Sequence, residues 1–137
     1  MTIKYEVNRD ISAQQFISVL NRSTLGERRP VDDLNCIQGM LDGADILITA
    51  WDQACLVGVA RSVSDLHYAC YLSDLAVDSD YQKLGIGKQL QVMTQAQLGP
   101  QCSLILIAAP KANNYYEHIG MVNNPRCWLL PPGQSFK

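Results

Sequence analysis

Asp74-Leu75-Ala76-Val77-Asp78 and, four residues past Asp78, the segment Gln82-Lys83-Leu84-Gly85-Ile86-Gly87-Lys88 form the stretch on which the reading of this chain turns. An apolar segment of strand type enters a short polar turn. A glycine-bracketed loop follows and opens directly into a helical pattern. That order builds an anion site out of backbone alone. Glycines let the chain approach a ligand closely, and the first N–H groups of a helix have no partner inside it. Together with the positive end of the helix dipole, those groups suit a phosphate or pyrophosphate. Lys83 and Lys88 add charge at the rim of the cradle.

Two common cradles fail on spacing. No run of Gly, four residues and Gly-Lys-Ser/Thr exists for a P-loop. The dinucleotide fingerprint G-x-G-x-x-G also fails, because the next glycine after Gly87 is Gly99. What stands here is Gln82-x-x-Gly85-x-Gly87. It resembles the acyl-coenzyme-A-binding signature of the GNAT superfamily of N-acetyltransferases, (Arg/Gln)-x-x-Gly-x-(Gly/Ala). The upstream Leu75-Ala76-Val77-Asp78 and the downstream Tyr115-Tyr116-Glu117-His118-Ile119-Gly120-Met121 are similar to their counterparts in that family, in the same order. The resemblance covers the chain from Tyr68 to Met121.

Length and composition agree. The 137 residues suit one compact domain, 1–137, with room for one hydrophobic core. Hydrophobic content of 47% with 18% charged residues is that of an ordinary globular protein. A net charge of −2 with scattered basic residues gives no footprint for nucleic acid. The start Met1-Thr2-Ile3-Lys4-Tyr5-Glu6 carries no apolar run behind a basic end, so no signal peptide is expected. The longest apolar runs, such as Leu104 to Pro110, are too short to span a bilayer, so no membrane partner is expected. Cys36, Cys55, Cys70, Cys102 and Cys127 are odd in number and widely spaced, with no C-x-x-C pair. That argues against a disulfide framework and a zinc site. The expectation is five small core residues in a reducing cytoplasm, and no metal.

Along the chain, Ile3 to Val7 alternates apolar and polar residues as a strand does. Ser12 with Gln15 three residues on reads as a capping box, and Ala13, Phe16, Ile17 and Leu20 follow at helical spacing. A second helix is expected from about Val31 to Leu41. Strands are expected at 45–52, 55–64 and 68–77, joined by short connections as an antiparallel meander. Ile86, Leu90 and Met93 mark an amphipathic helix after the glycine loop. Ser103 to Ala109 is nearly unbroken apolar sequence, which suggests a central strand buried on both faces. A last helix carries Ala112, Tyr116 and Ile119, and Met121 to Leu130 could supply further strand. The order is β-α-α-β-β-β-α-β-α-β, a single mixed α/β (α+β) domain, and the GNAT fold has this order of elements. The strand-helix-strand crossover around the glycine loop makes a parallel pair.

The resemblance implies that these two central parallel strands splay apart and that the pantetheine arm of acetyl-CoA lies in the gap. The backbone of Leu75, Ala76 and Val77 would then pair with it, while Gln82, Lys83, Leu84, Gly85, Ile86, Gly87 and Lys88 hold the pyrophosphate. It implies direct attack of an amine on the thioester, with no acyl-enzyme. A backbone N–H near Leu75 would meet the oxyanion. Tyr116 takes the position of the family's tyrosine acid, which protonates the leaving thiolate. The family's usual asparagine, seven residues before the tyrosine, is Ala109 here, which leaves Asn113, or Asn114, as its substitute. For the base, Asp74 is the nearest carboxylate, although strand alternation points it away from the acceptor unless a bulge intervenes, and a water chain reaching bulk solvent is the alternative. Tyr71 and Ser73 are expected on the acceptor side, and Arg29 lies in a loop that often lines the acceptor pocket in the family. Glu27-Arg28-Arg29 also reads as a solvated loop, and His67 and His118 read as solvent-facing. The implied acceptor is the primary amine of a small molecule or of a peptide or protein. A non-catalytic acetyl-CoA-binding sensor and a nucleotide-binding protein are the alternatives. Exposed strand edges in small domains commonly pair, which leaves a homodimer open.

Overall fold

The computed structural model describes residues 2–137. Five strands, β1 (Ile3–Val7), β2 (Ile46–Asp52), β3 (Cys55–Ser64), β4 (Ala69–Val77) and β5 (Ser103–Ile105), form one sheet in the order β1-β2-β3-β4-β5. The first three pairings are antiparallel and β4–β5 is parallel. Parallel strands need a long crossover, and α3 (Ile86–Gln95) supplies it. The other helices are α1 (Ala13–Arg22), α2 (Leu34–Asp42) and α4 (Asn113–His118). The chain divides into two compact units: the first ends at Ile107 and holds the sheet with α1–α3, and the second is Ala108–Lys137.

The helix starts follow local rules. At α1 the capping box forms in full: Gln15 N–H donates to Ser12 Oγ at 3.0 Å, and Ser12 N–H donates to Gln15 Oε1 at 2.9 Å. Asp33 caps α2 by accepting the Cys36 N–H at 3.0 Å, so that helix begins at Leu34 rather than Val31. In the first unit the strands alternate their side chains between two faces. Phe16, Val19, Leu20 and Ile37 of α1 and α2 pack on Leu47, Trp51, Val59 and Ala76. Ile86 and Leu90 of α3 pack on the opposite face, against Ile48, Ala50, Val57 and Leu72.

Four expectations need correction. The run Ser103 to Ala109 is not a central strand: only Ser103–Ile105 pair, at the sheet's edge, with Ile105 and Ile107 about half exposed. A continuous apolar run implies burial on both faces only where a layer covers each face; here Leu104 and Leu106 pack with the α3-side cluster, while Ile105 and Ile107 on the other face do not. No strand forms over Met121 to Leu130. Of the cysteines only Cys70 is buried, while Cys36, Cys55 and Cys127 are exposed. They lie on an outward position of α2, at the turn-end of β3 and in the irregular tail, none of which faces a core. The alternation expected of Asp74 also fails, for a reason given below. Among the described residues no helix is long and apolar enough to cross a membrane.

Gly58 is where the sheet lets α3 in. A Cβ there would lie 3.1 Å from Ile86 Cγ2, 3.2 Å from Leu90 Cδ1 and 3.3 Å from Ala50 Cβ. Gly58→Val is therefore expected to overpack the interface and to destabilise the fold by about 1–3 kcal/mol. Urea unfolding checks this, and an unchanged midpoint would refute the packing account.

Candidate functional site

The site is organised by one extra residue in β4. Ser62 opposes Leu72 and Arg61 opposes Asp74, so Ser73 has no partner of its own and forms a β-bulge. Before it, Cys70 and Leu72 face α3; after it, Ala76 faces α1 and α2, while Leu75 and Val77 pack on the α3 side. The bulge thus exchanges the two faces, and this is why Asp74 does not follow simple alternation.

The backbone changes sides as well. Asp78 N–H donates to Val57 C=O at 2.8 Å, which marks a hydrogen-bonded pair with β3. Antiparallel pairs alternate, so Val77 opposite Gly58 and Leu75 opposite Ala60 turn their N–H and C=O groups away from β3. On that other side β5 pairs only with Ala69, Cys70 and Tyr71. Beyond Tyr71 the two parallel strands part, and β4 runs on to Val77 with no strand partner on this edge among the described residues. The Val77 carbonyl accepts from Gln82 Nε2 at 3.4 Å, as an outward group can.

At the end of β4 the chain is pinned before the glycine loop. Asp78 accepts the Asp80 N–H at 2.9 Å and pairs with Arg22 of α1. Arg22 also donates to the Leu56 carbonyl at 2.7 Å. Tyr81 donates its hydroxyl to Asp52 Oδ2 at 2.6 Å, and that bond, which favours the protonated phenol, pushes its pKa up to about 12. Lys83 and Gly85 are left-handed, at φ +65° and +80°. Gly85 is the N-cap of α3, and its carbonyl accepts the Gln89 N–H at 3.0 Å. The N–H groups of the helix's first turn are left without an intrahelical acceptor. Gln82, Lys83, Leu84, Gly85 and Lys88 are exposed, Gly87 is partly so, and Ile86 is buried and anchors the helix.

Asp74 is fully buried, and each of its oxygens accepts from a guanidinium. Arg29 Nε holds Oδ1, and Arg61 Nε holds Oδ2. The same guanidiniums grip the bulged residue: Arg29 Nη2 donates to the Ser73 carbonyl at 2.7 Å, and Arg61 Nη2 to the Ser73 hydroxyl at 2.9 Å. Glu27 and Arg28 are exposed as a solvated loop should be, but Arg29 turns inward. Tyr71, opposite Val63, is 40% exposed. His67 and His118 are both exposed. Arg61 and Arg22 were not legible in advance as site residues. Their partners lie 13 and 56 positions away in sequence, and no local pattern signals a pairing at such range.

In the second unit, Asn113 is exposed at the start of α4. Tyr116 is half-buried and meets Tyr115 edge-to-face, with ring centroids 5.2 Å apart. Burial first, and Tyr115 second, raise the Tyr116 phenol pKa above its ordinary value. Met121 N–H bonds back to the Tyr116 carbonyl at 3.1 Å, with Gly120 at φ +94°, a left-handed helix closure.

Comparison with known proteins bears on the family and the fold. The family model for the acetyltransferase (GNAT) domain matches residues 7–125, and the chain belongs to that family. An uncharacterized N-acetyltransferase, ycf52, of Gracilaria tenuistipitata var. liui is 32% identical over 72 residues, 51% of this chain; the match spans 40% of that relative's own length. Its counterpart from Pyropia yezoensis is 31% identical over 72 residues, with 41% of its length covered. A GNAT-family acetyltransferase of Streptococcus pneumoniae superposes with a TM-score of 0.73 at 18% identity, over 94% of this chain and 98% of that one. An aminoglycoside acetyltransferase from an uncultured soil metagenomic sample, in complex with sisomicin, gives 0.67 at 19% identity, over 97% of each chain. At these identities the structural likeness is one of fold.

Gly85 isolates the backbone requirement of the loop, because nothing lies within 4 Å of where its Cβ would stand. Gly85→Ala should cost about 1–2 kcal/mol through the left-handed conformation alone, and Gly85→Asn less, since Asn tolerates that region better. Thermal unfolding of the two variants checks the order. Equal stability of Ala, Asn and wild type would show that the loop does not need its left-handed turn.

Proposed function

We propose that this member of the GNAT family, acting as one catalytic domain over residues 1–137, transfers the acetyl group of acetyl-CoA directly to a primary amine of a small molecule, peptide or protein. The observation that carries the reading is the free edge of β4: outward-turned backbone at Leu75 and Val77 leads straight to the uncapped N-terminus of α3. An extended thioester arm with amides suits the edge, and a pyrophosphate suits the helix start.

In this reading the outward backbone of Leu75 and Val77 holds the pantetheine arm, while Ala76, expected from the sequence to share that task, spends its own backbone groups on β3; the loop from Gln82 to Lys88 receives the pyrophosphate, with Lys83 and Lys88 at its rim. Asn113 adds a hydrogen bond to the coenzyme. The neutral amine attacks the thioester carbon; the new C–N bond forms and the carbonyl electrons move to oxygen. The outward Leu75 N–H stabilises that oxyanion, and its collapse breaks the C–S bond. The motif match gives Tyr116 the task of protonating the departing thiolate, and its raised pKa keeps the phenol protonated through neutral pH. Water carries away the amine's proton, since Asp74 is fully buried between two guanidiniums and presents no surface to the amine. Tyr71 lines the acceptor side. Acetyl-CoA-dependent release of free thiol across a panel of amines, amino acids and peptides tests the activity. Binding of acetyl-CoA with no release for any acceptor would favour the sensor reading.

Gly87→Val should abolish acetyl-CoA binding by calorimetry while leaving the fold intact; unchanged affinity would rule out the cradle. Tyr116→Phe should lower turnover by roughly 10²–10⁴-fold with little change in coenzyme affinity. A pKa raised above the ordinary 10.0 keeps the phenol's proton at higher pH. The alkaline fall in kcat should therefore lie above that value in the wild type and vanish in the variant. A wild-type rate for Tyr116→Phe at saturating substrates would remove it from the mechanism.

A further inference from the structure

We propose that Arg29, Asp74 and Arg61 act as a clasp that holds the bulge at Ser73 and thereby sets which way the Leu75 N–H points; Asp74 is a positioning residue and not the general base. The inference rests on the acetyl-transfer reading for its catalytic consequence, but its structural half stands apart from that reading.

The first support is the effect of the bulge on strand parity. At the turn end of the hairpin, Asp65 N–H donates to the Ala69 carbonyl at 3.3 Å, and Tyr71 opposes Val63 two steps along. Continued without interruption, that register would place Leu75 opposite Val59 as a hydrogen-bonded pair, with its N–H spent on β3. The extra residue moves Leu75 opposite Ala60 and turns the same N–H to the open edge. Every outward backbone group from Leu75 to Val77 owes its direction to this one insertion.

The second support is what grips the inserted residue. Ser73 is held at its carbonyl by Arg29 and at its hydroxyl by Arg61, while Asp74 spans the two arginines with one oxygen each. Arg29 comes from the loop between α1 and α2, Arg61 from the middle of β3, and Met40 near the end of α2 accepts a further bond from Arg61 at 3.3 Å. Three elements thus converge on one bulge. A general base must come within hydrogen-bond reach of the amine's proton, directly or through one water. Asp74 is fully buried with a guanidinium nitrogen on each oxygen. Two arginines around a single carboxylate suit a fixed anchor. The guanidinium forks supply the rigidity, since each binds carboxylate and serine together through neighbouring nitrogens.

The test uses amide hydrogen exchange and kinetics on the full chain. In the unliganded wild type the Leu75 amide should exchange fast and the Ala76 amide, turned to β3, slowly. In Arg29→Gln that contrast should shrink while the amides of α1 stay protected. The kcat should fall by about 10- to 100-fold, as for a slightly misplaced donor, with the shape of its pH profile unchanged. Arg29→Lys should restore part of the loss. Should Arg29→Gln not fold, Ser73→Ala, which deletes only the Arg61–hydroxyl bond, should show the same changes to a smaller degree. A folded Arg29→Gln with wild-type contrast and kcat would overturn the clasp. So would an Asp74→Asn enzyme that keeps the contrast but loses the acidic limb of its kcat/KM profile, for that is the behaviour of a base. If no acetyl transfer is found with any acceptor, the exchange contrast in Arg29→Gln still decides the structural claim, so the two failures are told apart.

Discussion

A β-strand has a period of two, and a single inserted residue inverts everything after it. The rest of this structure depends on that constraint at Ser73. Upstream of the bulge, β4 gives its even-numbered side chains to the α3 face; downstream it gives Asp74 and Ala76 to the α1–α2 face. A carboxylate left on the α3 side would meet Ile86 and Leu90 with nothing to pair with. On the side where it lies it meets two arginines. Withdrawing one partner from a buried ion cluster typically costs about 3–5 kcal/mol, because the remaining charge is stranded away from water. The bulge and the charges therefore specify each other: the insertion brings Asp74 to the arginines, and the arginines leave no other register in which it is satisfied.

The glycine loop solves a related problem by different means. In the proposed function α3 receives an anion at its start, and a side-chain cap would compete for the same N–H groups; α3 has none. The usual stabilisation by an N-cap serine or aspartate, seen at α1 and α2, is missing at α3, which leaves its first-turn N–H groups open. Stability is recovered through packing. Ile86 buries itself at the first helical position, and Gly58 beneath it lets the helix come close enough to seat Leu90 as well. The Asp78 contacts to Arg22 and Asp80, together with the Tyr81–Asp52 bond, hold the approach to the loop from the other side.

What could be read from the sequence were the features whose causes are local. The Ser12–Gln15 box, each strand of the meander over 46–77 and the helix at 86–95 are encoded within a dozen residues apiece, and each formed. The Ser73 bulge has no such signature. Serine is not glycine, and only the positions of Arg29 and Arg61, 44 and 12 residues away, explain why the insertion sits there. The run Ser103 to Ala109 misled for the converse reason: apolar content says that a strand can be buried, while burial itself is decided by whether a layer packs on each of its faces. The exposed cysteines follow the same logic, since a small apolar residue tolerates the surface and nothing in its spacing says on which side of a helix or turn it falls.

The division of labour within β4 also explains why its segment can be so plain. Leu75 and Val77 give their side chains to the core beside α3 and their backbone to the open edge. The two roles do not compete, because side chain and peptide group leave the strand in perpendicular directions. Any apolar residue of suitable volume would serve the core, and every residue but proline brings the same N–H. The chemistry of such an edge resides in direction more than in residue type. Direction is set by register, and register here by one inserted serine with the charged groups around it. A residue such as Arg61, which touches neither the open edge nor the glycine loop, can thus govern what the strand presents to a ligand.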